Sequence, residues 1–285
     1  MPSQNQFSLI LPINIYIKYI YIVMKIYETK IKKVEYINRK LYVFNNIDKE
    51  KLDESSDFLL ASITKIFTML SLLILHQEKI ININTTCKKY LDHKELENVK
   101  IIDIMNHVSG IKQDPEKYVN SIGNYKNIKK EQLIKHKKGS FIYSNLGYML
   151  LGVLIENVSN MTYQEFVKNN ILQPLKMSNS GFDKTTITHY NLKQKKLTKK
   201  QENERVKSVS DGGLKSCVID LIKFKKFPIL LKNKSLLKNL YIFYEDKEYY
   251  ISHNGNTTGI KSNLIIKYDK KWKFKDITIE FNTIK

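Results

Sequence analysis

The sequence predicts an α+β fold, an antiparallel sheet flanked by helices with an inserted helical subdomain. Residues 25–46 and the chain from Tyr249 onward alternate apolar and polar side chains as strands do, whereas the middle of the chain carries long apolar helical stretches. A sheet assembled from both ends of the chain accounts for this order. The 285 residues are enough to bury a sizeable core. We therefore expect one domain over residues 25–285, with its sheet part at about 25–75 and 208–285 and its helical insert at about 76–207.

The N-terminal segment, residues 1–24, contains an apolar run at 7–24 that a proline, an asparagine and a lysine interrupt. The run is near the lower length limit for a membrane span, and it lacks the basic region and the cleavage site of a signal peptide. Three interpretations stay open: a membrane anchor, a buried element of the domain, and an unused leader ahead of a start at Met24. Membrane association or export through 7–24 is therefore one expectation, and a cytoplasmic location is the other.

The next elements are a β-hairpin and a buried helix. Alternation on both sides of the turn-like Asn38-Arg39-Lys40 predicts an edge hairpin within 25–46. The stretch 58–75 is apolar on almost every side after Ser62 and contains good helix formers without Gly or Pro. A helix without a polar face is normally buried, so we expect the rest of the chain to pack around this one.

The first turn of this helix carries polar groups that a buried helix does not need. Ser62 and Lys65 stand three residues apart and so lie on one face. A lysine desolvated there can have its pKa lowered toward neutrality and can then act as a general base for a serine nucleophile. The alternative is an N-cap serine followed by a lysine that extends to water. Because the same spacing recurs twice elsewhere in this lysine-rich chain, spacing alone does not decide.

Further helices are predicted in the middle of the chain. The segment 101–110 is predicted to be a helix that ends at a Gly110 C-cap, where we expect His107 to have a structural capping role rather than a catalytic one. Residues 148–158 are strongly apolar, and 160–171 is amphipathic and begins with a capping box.

The remaining chain is expected to return to the sheet. The lysine-rich segment 184–207 is predicted to lie on the surface, and 211–214 is predicted to be a tight turn before a short helix at about 219–224. Strands follow from Tyr249, with a turn at 269–271.

Composition argues against nucleic-acid binding and against a metal centre. The formal net charge is +20, but the excess is lysine rather than arginine, and the densest cluster, 193–200, lacks aromatic side chains that stack on bases. We therefore expect no nucleic acid as partner, and a basic nucleic-acid binder is kept as the third hypothesis. Cys87, Cys217 and the histidines show no metal-ligand spacing, so no metal or cofactor is expected.

Three short motifs occur in order along the chain: Ser62-x-x-Lys65, Tyr143-x-Asn145 and His253-x-Gly255. With them the chain resembles the serine β-lactamase and penicillin-binding-protein superfamily, in its class C-like, esterase-like branch. Segments 101–111, 141–182 and 211–224 also resemble the family's flanking segments. The resemblance covers about residues 55–265 and implies a β-lactamase/transpeptidase-like fold.

The resemblance also implies roles for the motif residues. Ser62 attacks the substrate carbonyl and becomes acylated, and Lys65 and Tyr143 act as a coupled pair that takes the Ser62 proton. Asn145 binds the substrate amide and steadies Lys65. His253 is expected to bond Tyr143 or a substrate carboxylate, according to its charge.

Two further substrate contacts are expected beside His253. Gly255 is expected to let the substrate approach the strand closely. The backbone N–H groups of Ser62 and Asn256 are expected to form the oxyanion hole.

The expected function is that of a serine hydrolase that acts, through a covalent acyl-enzyme and without a cofactor, on a small ester, amide, β-lactam or D-amino-acid peptide. His253 stands where many relatives have Lys, which favours esterase or peptidase activity over β-lactam hydrolysis. The chain after Lys267 has room for a turn and one strand, and we expect 7–24 to cover the exposed sheet face. The alternative is a non-catalytic relative that keeps the fold as a binding or scaffold protein. Neither oligomeric state nor compartment follows from the sequence.

Overall fold

The computed structural model describes residues 31–113, 133, 136–189, 209–240, 242–257 and 259–284 of the 285-residue chain. Within them, an antiparallel sheet packs against helices. The strands are, in chain order, β1 (Ile31–Ile37), β2 (Lys40–Asn45), β3 (Phe58–Leu59), β4 (Lys215–Ser216), β5 (Ile242–Glu245), β6 (Glu248–Thr257), β7 (Ile260–Asp269) and β8 (Phe274–Ile284).

The main sheet has six strands in the order β2-β1-β8-β7-β6-β5, and each neighbouring pair is antiparallel. β3 and β4 form a separate short ladder. The last strand, β8, lies between β1 and β7, so both ends of the chain contribute to one sheet, as predicted. The strands predicted from Tyr249 onward are confirmed. β5 is not predicted, because its four residues are too few to show a clear alternation.

β1 and β2 form the predicted edge hairpin. Asn38 and Arg39 have positive φ angles of 53° and 63°, which a two-residue type I′ turn requires at both central positions. The register pairs Ile37 with Lys40 directly across this turn.

The α-helices include α1 (Thr64–Gln77), α2 (Ile101–Met105), α3 (Asn145–Ser159), α4 (Tyr163–Val167), α5 (Val209–Gly212) and α6 (Val218–Phe224). Short 3₁₀ helices occur at Ala61–Ile63, Cys87–Lys89, Lys94–Leu96, Phe227–Leu230 and Lys234–Asn239. The helices predicted within 58–75 and at 148–158 are confirmed as α1 and α3. The helix predicted at 160–171 is confirmed as α4, which starts at the predicted capping box and continues as a π-helix over Lys168–Leu172.

Two predicted boundaries are wrong. α2 ends at Met105, and the left-handed residue that follows its C-cap is His107 (φ 58°), not Gly110. The sequence predicts Gly110 for this position because glycine adopts a left-handed conformation without cost, but the helix ends earlier and His107 takes the left-handed position. The predicted tight turn at 211–214 is also different, because Asp211 and Gly212 form the end of helix α5.

α1 lies at the centre of the hydrophobic core, and its residues from Thr64 to Leu75 are all buried. On the helical side, the rings of Phe67 and Phe224 stack with their centroids 4.4 Å apart. On the sheet side, Phe58 stacks on Phe281 of β8 at 5.0 Å. Each buried side chain of this size stabilises the fold by roughly 1.5–3 kcal/mol. This packing holds the start of α1 against the sheet.

Two predicted segments lie outside the described residues: all of 1–24 and most of 184–207. The first includes residues 7–24, which we expect to cover the exposed sheet face. The predictions for them stay predictions. Across the described ranges, no helix combines the length and the apolar character needed to cross a membrane. Cys87 and Cys217 are both buried thiols.

Candidate active site

The backbone bends sharply just before Ser62. Ala61 has a φ of 46°, a left-handed conformation that costs a non-glycine residue on the order of 1–2 kcal/mol. The Leu60 N–H donates to the Leu214 carbonyl at 2.8 Å, and the Leu214 N–H donates to Thr64 Oγ1 at 3.2 Å. These bonds lie on either side of Ser62, so they stabilise the bend that presents this half-buried serine at the head of α1.

The Lys65 side chain is fully buried and contacts three oxygens. Its Nζ lies 2.7 Å from the Asp211 main-chain oxygen, 2.9 Å from Asn145 Oδ1 and 3.3 Å from Ser62 Oγ. The first two oxygens can only accept, whereas the hydroxyl can also donate. A neutral amine has two N–H donors and one lone pair, so it can satisfy both acceptors and take a proton from Ser62. The geometry is therefore suited to general-base chemistry.

Tyr143 lies beside this amine. Lys65 Nζ is 5.0 Å from the centroid of the Tyr143 ring, within the range of a cation–π contact when the amine is protonated. Tyr143 precedes the N-cap of α3, Ser144, whose Oγ accepts a hydrogen bond from the Gly147 N–H at 2.9 Å. Asn145 is the first residue of α3. The start of this helix therefore brings both residues of the second motif to Lys65.

His253 lies on β6, with its ring centroid 6.3 Å from that of Tyr143. Its Nδ1 lies 2.8 Å from the Asn254 carbonyl oxygen. Because a carbonyl only accepts, Nδ1 carries the proton and Nε2 keeps its lone pair. Burial lowers the pKa of His253 to about 4; the bond to Asn254 opposes this shift, and the charge of Lys65 adds to it. His253 is therefore neutral at pH 7.

Gly255 packs against the backbone that leads to Ser62. A Cβ at position 255 would lie 2.1 Å from the Leu60 carbonyl oxygen and 2.1 Å from Ser262 Oγ. Close packing of β6 on this backbone thus explains the glycine, and its role in substrate approach stays a prediction. Asn256 follows on β6 with an exposed side chain, and its backbone N–H stays a predicted oxyanion donor.

The structure brings together the predicted residues Ser62, Lys65, Tyr143, Asn145 and His253. Sequence reasoning missed two groups that contact these residues, the main-chain carbonyl of Asp211 and the imidazole of His107. A carbonyl leaves no signal in residue type, because every residue has one. His107 does have a signal, its place in the segment 101–111 that resembles the family, but the helix end offers a sufficient structural explanation for it. Within the described ranges, no three His, Cys, Asp or Glu side chains cluster as a metal site would.

A buried helix starts with a Ser–Lys pair and packs against an antiparallel sheet that supplies the third motif. This arrangement defines the β-lactamase/transpeptidase class of folds. A family model described as Beta-lactamase matches residues 35–242, and the chain belongs to this family.

Similar proteins agree with this assignment. Protein flp of Staphylococcus aureus (strain NCTC 8325 / PS 47) is 33% identical over 160 residues, covering 51% of this chain and 32% of that protein. The chain thus spans about a third of the length of the curated relatives it matches. The D-amino acid amidase from Ochrobactrum anthropi SV3 has a TM-score of 0.70 at 17% identity, covering 95% of this chain and 90% of that one. A class C beta-lactamase has a TM-score of 0.71 at 15% identity, covering 94% and 89%. These structural neighbours are hydrolases, and at such identities the similarity establishes the fold.

Proposed function

We propose that the chain is a serine hydrolase that works through a covalent acyl-enzyme on a small ester, amide or D-amino-acid peptide. The observation that carries this proposal is the environment of Lys65, whose buried Nζ has two pure acceptors and the Ser62 hydroxyl as its neighbours. A protonated Lys65 can donate to all three oxygens, whereas a neutral Lys65 can donate to the two pure acceptors and take the Ser62 proton, which is the step that the proposal requires. The hydrolase neighbours of the same fold support the proposal.

In the proposed first step, Ser62 Oγ bonds to the substrate carbonyl carbon while its proton passes to Lys65 Nζ, directly or through the Tyr143 hydroxyl. The carbonyl oxygen becomes an oxyanion, for which the N–H groups of Ser62 and Asn256 are the proposed donors. The bond to the leaving group then breaks, the leaving group takes the proton, and an ester remains on Ser62. In the second step, water gives a proton to the same base and attacks the acyl carbon, which releases a carboxylic acid and restores the hydroxyl.

The charge of the site favours substrates without a carboxylate. His253 is neutral at pH 7, whereas a lysine at this place would offer a cation. β-Lactams and peptides that end in a D-amino acid carry a carboxylate that a cation binds well. We therefore expect uncharged esters and amides to be better substrates than β-lactams.

A fluorophosphonate probe tests the proposal directly. We expect one covalent adduct, mapped to Ser62 by mass spectrometry of the digested protein, and hydrolysis of p-nitrophenyl esters. Ser62→Ala should abolish the adduct and lower kcat/KM by about 1,000-fold or more. Ser71→Ala is the matched control, because Ser71 is a buried serine of the same helix whose Oγ donates to the Phe67 carbonyl at 2.8 Å.

Nitrocefin and a D-Ala-D-Ala peptide complete the substrate panel, and we expect both to be turned over more slowly than uncharged esters. A folded protein that forms no adduct and hydrolyses none of these compounds would instead be a non-catalytic binding or scaffold protein.

A further inference from the structure

His107 occupies the C-terminal end of α2 in an unusual way for a histidine. It is 1% exposed and has a φ of 58°. Its N–H donates to the Ile104 carbonyl at 3.0 Å, and the next N–H, of Val108, donates to the Asp103 carbonyl at 2.9 Å. These bonds form a Schellman motif, in which the left-handed position is usually a glycine. Ending the helix therefore does not by itself require an imidazole here.

The imidazole and the main chain of His107 hold the loop that carries Tyr143 at two points. The Ser144 N–H donates to His107 Nδ1 at 3.0 Å, and the Ile142 N–H donates to the His107 carbonyl at 2.7 Å. Tyr143 lies between these two anchored residues. Its ring also packs on the imidazole, with centroids 4.4 Å apart and planes tilted by 34°.

Only one form of His107 can make these contacts. Nδ1 accepts the Ser144 N–H, so this nitrogen has a lone pair and the ring proton is on Nε2. Burial lowers the pKa of His107 to about 3, and the positive charges that Lys65 and, in acid, His253 carry when protonated act in the same direction. The acceptor therefore persists at every pH at which a hydrolase of this kind would be assayed.

We propose that His107 is a positioning residue, which holds Tyr143 beside Lys65 through its Nδ1 acceptor and its ring. The inference rests on the proposed hydrolase activity and adds to it a residue outside the three motifs. The proposed mechanism gives His107 no bond to make or break, so it acts through its contacts with Ser144 and Tyr143.

Three variants separate the hydrogen bond from the backbone and from the ring. His107→Gly keeps the left-handed backbone but removes both acceptor and ring. His107→Asn also tolerates this backbone, and its Oδ1 can replace the Nδ1 acceptor. His93→Gly is the matched control, because His93 Nδ1 likewise accepts a backbone N–H, from Glu95 at 3.3 Å, but His93 caps a 3₁₀ helix outside the site.

We expect His107→Gly to lower kcat of ester hydrolysis and the rate of fluorophosphonate labelling by about 100-fold. Misplacing a catalytic group by about 1 Å usually has an effect of this size. KM should change by less than about threefold. His107→Asn should recover about tenfold of the kcat loss. His93→Gly should leave kcat within about twofold of the wild type. Equal kcat in the Gly variant and the wild type, with both folded, would overturn the proposal, and so would equal losses in the Gly and Asn variants.

An NMR measurement separates failure of this inference from failure of the proposed function. The imidazole ¹⁵N shifts of wild-type His107 should show the Nε2–H tautomer at neutral pH, whether or not the protein is active. An Nδ1–H tautomer or a protonated ring would overturn the positioning role. If the Nε2–H tautomer is present but the protein forms no adduct and turns over no substrate, the proposed hydrolase activity is wrong. His107 then has no catalytic group to position, although its contacts with the loop remain.

Discussion

Ser262 Oγ donates a hydrogen bond to the Leu60 carbonyl oxygen at 2.8 Å, which joins strand β7 to the backbone two residues before Ser62. Gly255 of β6 packs on the same oxygen. The sheet therefore contacts the bend at Ala61 through this carbonyl, and the position of Ser62 depends on packing against β6 and β7.

Ser262→Ala removes this hydrogen bond and leaves the carbonyl of a buried residue without its hydroxyl donor. We expect the free energy of unfolding to fall by about 1–2 kcal/mol in urea denaturation, and the labelling of Ser62 to slow as the bend loosens. Ser235→Ala is the control, because this exposed serine bonds only locally, to Asn233, and its loss should cost less than about 0.5 kcal/mol. Equal costs for the two variants would contradict the prediction.

Gly255→Ala places a methyl group 2.1 Å from the Leu60 oxygen, so either β6 or the bend has to move. We expect a loss of about 1–3 kcal/mol in the free energy of unfolding and at least about a tenfold slower acylation of Ser62. Gly212→Ala is the steric control, since the nearest atoms to its added Cβ, those of Ala61, are 3.8 Å away. This control should change the free energy of unfolding by about 1 kcal/mol or less. A stable, fully active Gly255→Ala protein is the result that the packing does not allow.

Lys215 and Asp57 form a buried ion pair, with Lys215 Nζ 2.7 Å from Asp57 Oδ2. Burial raises the pKa of Asp57, but the bonds from Lys215 and from the Thr186 hydroxyl and N–H outweigh it, so the pKa lies below its ordinary value and the carboxylate is charged. Lys215→Met leaves this charge buried without its main partner. We expect a loss of about 3–5 kcal/mol in the free energy of unfolding, measured in urea.

An exposed ion pair supplies the control for that measurement. Lys232 Nζ lies 2.9 Å from Glu78 Oε1 in a pair that is largely open to solvent. Lys232→Met should therefore cost less than about 1 kcal/mol. If both lysine variants lost the same stability, burial of the Lys215 pair would not be the cause.

The two site histidines predict a loss of stability in mild acid. Burial lowers the pKa of His107 to about 3 and that of His253 to about 4, below the ordinary value of 6.5. As the pH falls below 6.5, the unfolded chain binds more protons than the folded one, so the free energy of unfolding falls. This loss continues until the pH reaches the folded-state pKa values.

We expect the free energy of unfolding to fall by a few kcal/mol between pH 7 and pH 4.5, because one unit of pKa difference is about 1.4 kcal/mol. Asp57 adds to the loss only below its own ordinary pKa, which lies outside this interval. Urea denaturation at pH 7, 5.5 and 4.5 measures the loss. His107→Asn, which has no titrating ring, should flatten the curve relative to its own value at pH 7. An equally steep curve in that variant would mean that other groups cause the loss.

By itself the sequence determined the parts of this protein that depend on neighbouring residues. The hairpin turn at Asn38 and Arg39 follows from local alternation, and the burial of α1 follows from its apolar composition. The capping box of α4 is also local. The three ordered motifs predicted the residues of the candidate site, because their order along the chain resembles that of a known family.

The tertiary structure alone decided how these residues meet and what supports them. Only folding brings the Asp211 carbonyl to Lys65, places the imidazole of His107 under Tyr143, and packs Gly255 on the Leu60 carbonyl. These contacts join residues far apart in the chain, and several use backbone atoms that every residue has. Residue types therefore do not reveal them, and local preferences can point elsewhere, as Gly110 did for the end of α2.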